Sequence, residues 1–247
     1  MRVLGIDIGG SALKGAPVDT VSGRLLAERC RIPTPKPIPP RTMAEAIGEM
    51  VRHFRWRGPI GIGFPGVIQG SRTMTSANLH PDFIDFDAGS LFGKAAGRKV
   101  ALTNDAAAAA MAEMKFGQGA GFDGKVLLLT LGTGVGTELA YRGVVFPCEL
   151  GHLPFHGHDA EKRVAASVKA AKDLSWKQWG RRLGKYVAVL ERLLWPELII
   201  VGGGVSAEYR RFFKYVAPRA PIVPAKFLNE AGIVGAALWA AEPKRRA

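Results

Sequence analysis

Two stretches of the chain repeat one order of hydrophobic and polar positions, and each begins with a short apolar run followed by glycines. Residues 2–8 form the first run and lead into a glycine turn at 9–11, whereas residues 126–131 lead into a glycine turn at 132–136. Apolar runs of this length bounded by glycines are typical of buried β-strands. The pattern therefore predicts two equivalent strand–turn units, one in each half of the chain.

The first half continues with further strands and helices. The segment 33–40 carries five prolines and is expected to be an extended connector. A helix near 42–54 follows it, because Thr42 and Glu45 form a capping-box pattern. The other predicted elements are strands at 13–18, 25–32, 60–64 and 98–103 and a helix at 89–96.

The second half repeats this plan, and Ser175 with Gln178 offers another capping box. Its predicted elements are strands at 137–141, 144–146 and 198–201 and helices at 159–172, 176–194, 206–216 and 230–241. Each half thus has three strands, then helix and strand. This order differs from the strict alternation of a Rossmann sheet and predicts an α/β fold in two duplicated halves.

Composition places the chain among ordinary globular proteins. It has 247 residues, of which 47% are hydrophobic and 22% charged, enough for one large domain or two lobes. No run approaches the length of a membrane span, and the N-terminus lacks the pattern of a signal peptide. Two cysteines form neither a disulfide framework nor a zinc motif. We therefore expect a cytoplasmic protein without membrane contact or structural zinc.

The charge is less ordinary, since 34 Lys and Arg against 21 Asp and Glu give a net charge of +13. Such an excess attracts polyanions, although a solvated basic surface is an equally simple interpretation. The absence of an aromatic-interleaved RNA motif argues against nucleic acid. The basic residues cluster at Arg52, Arg55 and Arg57, at Lys177, Arg181, Arg182 and Lys185, at Arg210, Arg211 and Lys214, and in the tail 244–246.

The two glycine turns point to phosphate chemistry. Without side chains, successive backbone N–H groups can converge on phosphate oxygens. Asp7 beside the first turn is placed to hold a hydrated Mg²⁺, and Lys14 to reach a phosphate. The chain contains no P-loop and no GxGxxG opening a helix, so this phosphate grip is of another kind.

Two polar segments are candidates for further chemistry. Asn104-Asp105 lies where a strand ends and a helix begins, so Asp105 is either an N-cap or a general base for an alcohol; spacing alone leaves both open. Glu149, His152 and Glu161 suit either a metal or the hydroxyls of a sugar, and their spacing matches no zinc pattern. His156 and His158 between them are interpreted as loop residues.

Five motifs in order carry a resemblance to the ROK family of sugar kinases. They are GIDIGGSALKG at 5–15, NDA at 104–106, LGTGVGT at 131–137, ELGH at 149–152 and GGGVS at 202–206. Further segments, such as DLSWKQW at 173–179 and VPAKFLNEAGIVGAAL at 223–238, resemble its polyphosphate glucokinase branch. The resemblance covers nearly the whole chain.

This resemblance implies a two-lobed actin-like (RNase H-like ATPase) α/β fold with duplicated βββαβα halves around a cleft. The N-terminal lobe would comprise residues 1–105 and about 228–247, and the larger C-terminal lobe residues 106–227. Relatives in this family also imply a homodimer.

The same resemblance implies phosphorylation of glucose at its 6-hydroxyl, with polyphosphate, ATP or both as donor, Mg²⁺ near Asp7 and Asp105 as general base. The sugar ligands it implies are Asn78, Asn104, Asp105, Glu149, His152 and Glu161. The donor-binding residues it implies are Asp7, Gly9, Gly10, Ser11, Lys14, Gly132, Thr133, Gly134, Gly136, Gly203 and Gly204.

Three departures from the family pattern bear on selectivity. Ala107 replaces an acidic or amide residue, Glu138 adds a charge after the second turn, and the stretch 80–86 is atypical. Another hexose, such as mannose or an N-acetylated amino sugar, therefore remains an alternative acceptor. A non-catalytic sugar-binding protein is the other alternative, but such a protein has no need of a base at Asp105.

Overall fold

The computed structural model describes residues 1–9, 12–33, 38–76, 79–227 and 230–242. Gly10, Ser11 and Asn78, three of the predicted site residues, lie outside these ranges. Contacts divide the chain into two compact units, Met1–Ala112 with Glu230–Ala247, and Glu113–Asn229. The lobe boundaries inferred from the sequence stay a prediction.

The described residues of the first unit form seven strands and four helices. The strands are β1 (Arg2–Gly9), β2 (Ala12–Asp19), β3 (Cys30–Pro33), β4 (Ile60–Phe64), β5 (Ile68–Gln69), β6 (Arg72–Thr73) and β7 (Val100–Asn104). The helices are α1 (Pro40–His53), α2 (Ala88–Ala96), α3 (Asp105–Phe116), whose last turn belongs to the second unit, and α8 (Ala231–Ala241).

In the second unit, the part of the chain that the structure describes forms seven further strands and four helices. The strands are β8 (Lys125–Leu131), β9 (Val135–Tyr141), β10 (Val144–Cys148), β11 (Pro154–Phe155), β12 (His158–Asp159), β13 (Leu198–Gly202) and β14 (Ile222–Pro224). The helices are α4 (Glu161–Val164), α5 (Ala166–Ala171), α6 (Trp176–Leu194) and α7 (Tyr209–Phe212). None of the helices in the described ranges combines the length and the apolar character that a bilayer span requires.

The main sheets of the two units have the same topology. Their orders are β3-β2-β1-β4-β7 and β10-β9-β8-β13-β14. In each sheet the first three strands form an antiparallel meander, and the last two run parallel to the first. This repetition confirms the predicted α/β fold of duplicated halves.

Helices cover the first sheet on both faces. Leu4, Ile6 and Ile8 of β1 join the core formed with α1 and α2. The alternate residue Gly5 faces α8, where an added Cβ would overlap the carbonyl oxygen of Ile233. Glycine at position 5 therefore allows α8 to pack directly against the backbone of β1.

Several element predictions were wrong in detail. Strand β3 begins at Cys30, and only an isolated bridge between Val18 and Leu25 represents the rest of the predicted strand. Helix α1 begins at Pro40, since proline at the first helical position needs no N–H partner; the Thr42–Glu45 capping box is therefore not formed. The capping box of Ser175 with Gln178 is confirmed.

Two predicted helices of the second unit are also interrupted. The helix predicted at 159–172 breaks at Ala165, whose ψ of 151° is extended, and becomes α4 and α5. The helix predicted at 206–216 is instead two short 3₁₀ segments flanking α7. The break at Ala165 starts a new helix, in whose first turn Ser167 contacts the second glycine turn.

Candidate active site

In the first unit, parallel strands bring the predicted acidic residues to one edge of the sheet. Asp7 of β1 pairs in register with Gly63 of β4, and Gly63 pairs with Thr103 of β7. Asn104 and Asp105 follow directly on β7 and α3. Carboxyl ends of parallel strands in an α/β sheet commonly form ligand sites.

The carboxyl group of Asp7 lies in a confined position. Its cross-strand partner on β2 is Lys14, and a Cβ added at Gly232 of α8 would lie only 2.8 Å from its Cγ. Burial raises the pKa of Asp7, while the charges of Lys14 and Arg29 lower that pKa in part. A bound cation would favour the ionised carboxylate at this place.

Asn104 supplies the N-cap of α3. Its Oδ1 accepts a hydrogen bond from the N–H of Ala107 at 3.0 Å, and its Nδ2 donates to the carbonyl of Gly66 at 3.2 Å. Asp105 is the first helical residue, and its Oδ1 accepts from the N–H of Ala106 at 2.8 Å. The cap that spacing alone could have assigned to Asp105 therefore belongs to its neighbour.

The first glycine turn is described only at its ends. Gly9 pairs with Ala12 and closes the hairpin of β1 and β2, and Lys14 lies half-buried on β2. The loop after the predicted ligand Asn78 is anchored by Phe83, which is fully buried against Phe64 at a ring distance of 5.1 Å. This anchor gives the atypical stretch 80–86 a structural role.

In the second unit, a serine holds the glycine turn between β8 and β9. The N–H of Gly132 donates to the carbonyl of Gly134 at 3.1 Å. Ser167 of α5 donates its N–H to the carbonyl of Gly132 at 3.0 Å and its Oγ–H to the carbonyl of Thr133 at 2.6 Å. Gly136 continues the turn into β9, where it pairs with Thr130.

A third glycine segment lies against this turn. Gly203 follows β13 with a φ of 82°, and an added Cβ would overlap the carbonyl oxygen of Leu131. Ser206 donates both its N–H (3.0 Å) and its Oγ–H (2.8 Å) to the carbonyl of Gly203. The predicted donor residues of this unit, Gly132 to Gly136 with Gly203 and Gly204, are thus brought to one sheet edge.

The predicted sugar ligands of the second unit form a polar cluster. His152 Nε2 lies 4.0 Å from Glu149 Oε2, and His152 Nδ1 lies 3.2 Å from Asp159 Oδ2. One ligand atom each of His152, Asp159 and Glu161 lies within 4.8 Å of the others, so this donor set could also hold a metal ion. Asp159 was missed in the sequence, where its place two residues before Glu161 was the available signal.

The polar cluster adjoins the glycine turn. A Cβ added at Gly134 would lie 2.6 Å from Glu161 Oε2, so glycine is needed for this carboxylate to approach. Burial raises the pKa of Glu149, the charge of Glu161 raises that pKa further, and His152 lowers it. Contacts to sugar and to phosphate would therefore be made by neighbouring groups.

Two buried side chains brace the segment that carries Glu149. Thr137 Oγ1 donates to the carbonyl of Cys148 at 2.7 Å and accepts from the N–H of Leu150 at 2.9 Å. The hydroxyl of Tyr186 donates to the carbonyl of Leu150 at 3.0 Å, and burial raises the pKa of this phenol. Sequence reasoning did not identify either residue, because both act through the backbone of residues distant in sequence.

The other two departures from the family pattern are buried. Ala107 is 3% exposed within α3, so its methyl group packs in the protein interior. Glu138 is also 3% exposed, in the middle of β9 between Leu128 and Pro147 on the neighbouring strands.

Comparisons with known proteins place the chain among relatives. Residues 3–166 match the model of the ROK family. A polyphosphate glucokinase of Mycobacterium tuberculosis is 40% identical over 236 residues, which cover 95% of this chain and 89% of the relative.

Two solved structures are also similar. The inorganic polyphosphate/ATP-glucomannokinase from Arthrobacter sp. strain KM has a TM-score of 0.93 at 42% identity, covering 97% of this chain and 98% of that one. A ROK family glucokinase from Streptomyces griseus, in complex with glucose and AMPPNP, has a TM-score of 0.83 at 24% identity, covering 98% and 99%. This second likeness concerns the fold alone, and the two together confirm the predicted actin-like fold. Because residues 3–166 match the family model and a relative of 40% identity covers 95% of its length, the chain belongs to the ROK family.

Proposed function

We propose that the chain transfers a phosphoryl group from inorganic polyphosphate, ATP or both to the 6-hydroxyl of glucose. The relative named polyphosphate glucokinase and the structure described as a polyphosphate/ATP-glucomannokinase both support this activity. The observation that carries the proposal is the placement of Asp105. Its carboxyl group stands directly after a partly buried strand, while Asn104 fills the capping role.

Asp105 acts as the general base. Its carboxylate accepts the proton of the sugar hydroxyl as that oxygen forms a bond to the terminal phosphorus of the donor. The bond from this phosphorus to the bridging oxygen breaks, and a polyphosphate shorter by one unit, or ADP, leaves. Positioning of the alcohol supplies much of the rate, because little covalent chemistry falls to the protein.

Glucose is held by Asn78, Asn104, Glu149, His152 and Glu161. Carboxylates accept hydrogen bonds from sugar hydroxyls, whereas an imidazole can donate or accept. Asp159 joins this set as a positioning residue, since its carboxylate lies 3.2 Å from Nδ1 of His152 and thereby orients the ring.

The donor phosphates are bound by Gly9, Gly10, Ser11 and Lys14 and by the segments Gly132–Gly136 and Gly203–Gly204. Backbone N–H groups in such glycine segments suit phosphate oxygens. Asp7 fits a magnesium site, because its buried carboxyl group gains from a nearby cation. Mg²⁺ bound there supplies charge neutralisation on the donor phosphates.

Mannose is a second acceptor candidate. It is favoured by the 42% identity to a protein described as a glucomannokinase. The homodimeric state and the cytoplasmic location expected from the sequence remain predictions.

Initial rates with glucose and Mg²⁺, measured in parallel with polyphosphate and with ATP, test the proposal. We expect glucose 6-phosphate with polyphosphate, and the ratio of the two rates gives the donor preference. Mannose in place of glucose measures acceptor selectivity. Absence of product with both donors and both sugars would overturn the proposed function.

A further inference from the structure

A surface pocket of about 440 Å³ lies in the first unit, where α1 and α2 end. Four arginine side chains share this pocket with one tryptophan. Its lining residues are Val51, Arg52, Arg55, Trp56, Arg57, Ala96, Gly97 and Arg98.

The positive charge of the pocket is not neutralised by carboxylates of the described chain. Elsewhere Arg72, Arg142 and Arg211 each form an ion pair with an acidic residue. Within the ranges that the structure describes, the ion pairs include none of the four pocket arginines. Four like charges in one pocket repel one another, and a bound polyanion would relieve this repulsion.

The backbone around the pocket has a defined shape. Arg55 has a φ of 46°, a conformation that is costly for a side chain other than glycine. Trp56 Nε1 donates to the carbonyl of Pro59 at 2.9 Å, and Arg98 donates to the carbonyl of Arg57 at 2.7 Å. The guanidinium groups are thus mounted on a tethered turn.

Compensation of helix dipoles does not account for the whole cluster. Basic side chains in the last turn of a helix interact favourably with its terminal carbonyls. Arg52 lies in the last turn of α1, but Arg55 and Arg57 lie beyond that helix, and Arg98 follows the cap of α2. Three of the four charges therefore need another explanation.

The pocket is separate from the proposed transfer site. Arg57 and Arg98 lie just before the amino ends of β4 and β7, whereas Asp7 and Asp105 lie at the carboxyl edge of the same sheet. From Ile60 to Phe64, β4 advances by four residue steps of about 3.3 Å each, which separates the two places by about 13 Å. A group bound in the pocket is therefore remote from the phosphorus atom that is transferred.

We propose that this pocket is a second binding site for inorganic polyphosphate, which anchors a distant part of the donor chain. Guanidinium groups bind phosphate oxygens through paired N–H donors, and successive phosphates supply several negative charges over a short length. This inference rests on the proposed function for its choice of ligand, since only a polymeric donor extends beyond the transfer site.

The test compares Arg52→Gln/Arg57→Gln with the charge-matched control Arg24→Gln/Arg41→Gln, all four side chains being exposed in the same unit. Calorimetric titration of the full chain with long-chain polyphosphate, without glucose or Mg²⁺, measures binding directly. We expect the pocket variant to bind about fivefold more weakly, as the loss of two exposed ion pairs implies. Its salt dependence should be less steep by about two released counterions.

Kinetics separate the pocket from the transfer site. The pocket variant should show a raised KM for long-chain polyphosphate, while kcat and the KM values for tripolyphosphate and ATP equal those of the wild type. Unchanged binding of the long chain, or an equal loss in the control variant, would overturn the proposal. Binding of single-stranded DNA that is lost in the pocket variant, together with long-chain polyphosphate binding that is not lost, would overturn it too, because the pocket would then be a nucleic-acid site.

The two proposals fail in different ways. If the wild type transfers no phosphate from polyphosphate, and the pocket variant binds this polymer more weakly than the wild type does, the proposed function is wrong and the second binding site stands. If the wild type does transfer phosphate from polyphosphate, but the pocket substitutions leave long-chain binding unchanged, the second binding site is wrong and the proposed function stands.

Discussion

The carboxyl edges of the two main sheets share one strand order but differ in the source of their polar side chains. In the first unit, Asp7 lies near the end of the buried strand β1, and Asp105 directly follows the partly buried strand β7. In the second unit, Glu149, His152 and Glu161 lie in the segment between β10 and α6, which forms a 3₁₀ turn, a short hairpin and the start of α4. The two units thus share a glycine turn after the first strand of each repeat, but their acidic and polar side chains come from different elements.

This difference separates two kinds of task. Proton transfer and metal binding need groups held in a narrow range of positions, which strand ends in a packed core provide. Recognition of several hydroxyls tolerates a more exposed segment, provided that its backbone is braced. Thr137 and Tyr186 supply such bracing at Cys148 and Leu150. Under the proposed function, the general base and the metal site belong to the first edge, and the charged sugar ligands belong to the second.

Removal of the proposed base is the severest test of this contrast. Asp105→Asn should lower kcat about 10³-fold, the usual contribution of a general base, because the amide cannot accept the hydroxyl proton. Glucose binding, measured by calorimetry, should remain close to that of the wild type. Asp87→Asn is the matched control, since Asp87 also begins a helix and asparagine caps equally well. Near-normal turnover of Asp105→Asn would show that Asp105 is not the general base, and the proposed role of the first edge in proton transfer would be wrong.

Two glycines of the second unit sharpen the comparison, because only one has room for a methyl group. Gly203→Ala should lower the free energy of unfolding by about 3 kcal/mol, through overlap with Leu131 and a positive φ. An added Cβ at Gly132 meets no atom within 4 Å, so Gly132→Ala should change that free energy by less than about 0.5 kcal/mol.

Urea denaturation measures both effects on stability. Gly132→Ala should nevertheless raise the donor KM about tenfold, because a methyl group displaces one charge-assisted phosphate contact of about 1.4 kcal/mol. A normal donor KM in this stable variant would contradict the assignment of the turn to phosphate binding.

The sheet elements could be predicted from the sequence because their residues are buried together. The run 60–64 is buried at every position, as is 198–201, and both became strands near the predicted bounds. The failures occurred where local signals compete. Thr42 and Glu45 match a capping box, but the adjacent Pro40 begins the helix earlier. At Ala165 the contacts of Ser167 with the glycine turn outweigh local helix propensity.

Most of the site residues could be picked out from the sequence by residue type and position, whereas their roles came from the family motifs. Glu149, His152 and Glu161 were candidates on that basis, and the structure brings His152 close to Glu149 and to Glu161. Asp159 reaches His152 only because the hairpin of β11 and β12 folds the chain back, and no sequence period predicts that contact. Thr137 is a strand residue by pattern, and its role depends on the register of β9 with β10.

A smaller effect is expected from the brace of the second edge. Thr137→Val keeps the shape of the side chain but removes two hydrogen bonds, of about 1 kcal/mol each, next to Glu149. The KM for glucose should rise about fivefold, with kcat unchanged, because Glu149 binds sugar and does not transfer protons. Thr137→Ser should restore the KM. A fall in kcat at constant KM, or failure of serine to rescue, would contradict a role in sugar positioning.

The smallest predicted effect is a displacement of the pH dependence of glucose binding. Burial and the charge of Glu161 raise the pKa of Glu149, and only its ionised form accepts hydrogen bonds from sugar hydroxyls through both oxygens. Affinity should therefore fall as the pH drops through this raised pKa. Glu161→Gln removes one cause of the shift, so the acid limb of affinity against pH should move to lower pH.

Calorimetric glucose titrations from about pH 4 to pH 7 measure this limb. Glu208→Gln, an exposed glutamate of the same unit paired with Arg211, serves as the control and should leave the limb in place. Because the folded state holds the Glu149 proton more tightly than the unfolded chain does, the free energy of unfolding should fall as the pH rises through the same window. A limb that moves to higher pH in Glu161→Gln would contradict this effect of Glu161 on the pKa of Glu149. His152, whose charge lowers that pKa, would then be the residue that governs the Glu149 carboxylate, and the sugar would have to break the ion pair between them.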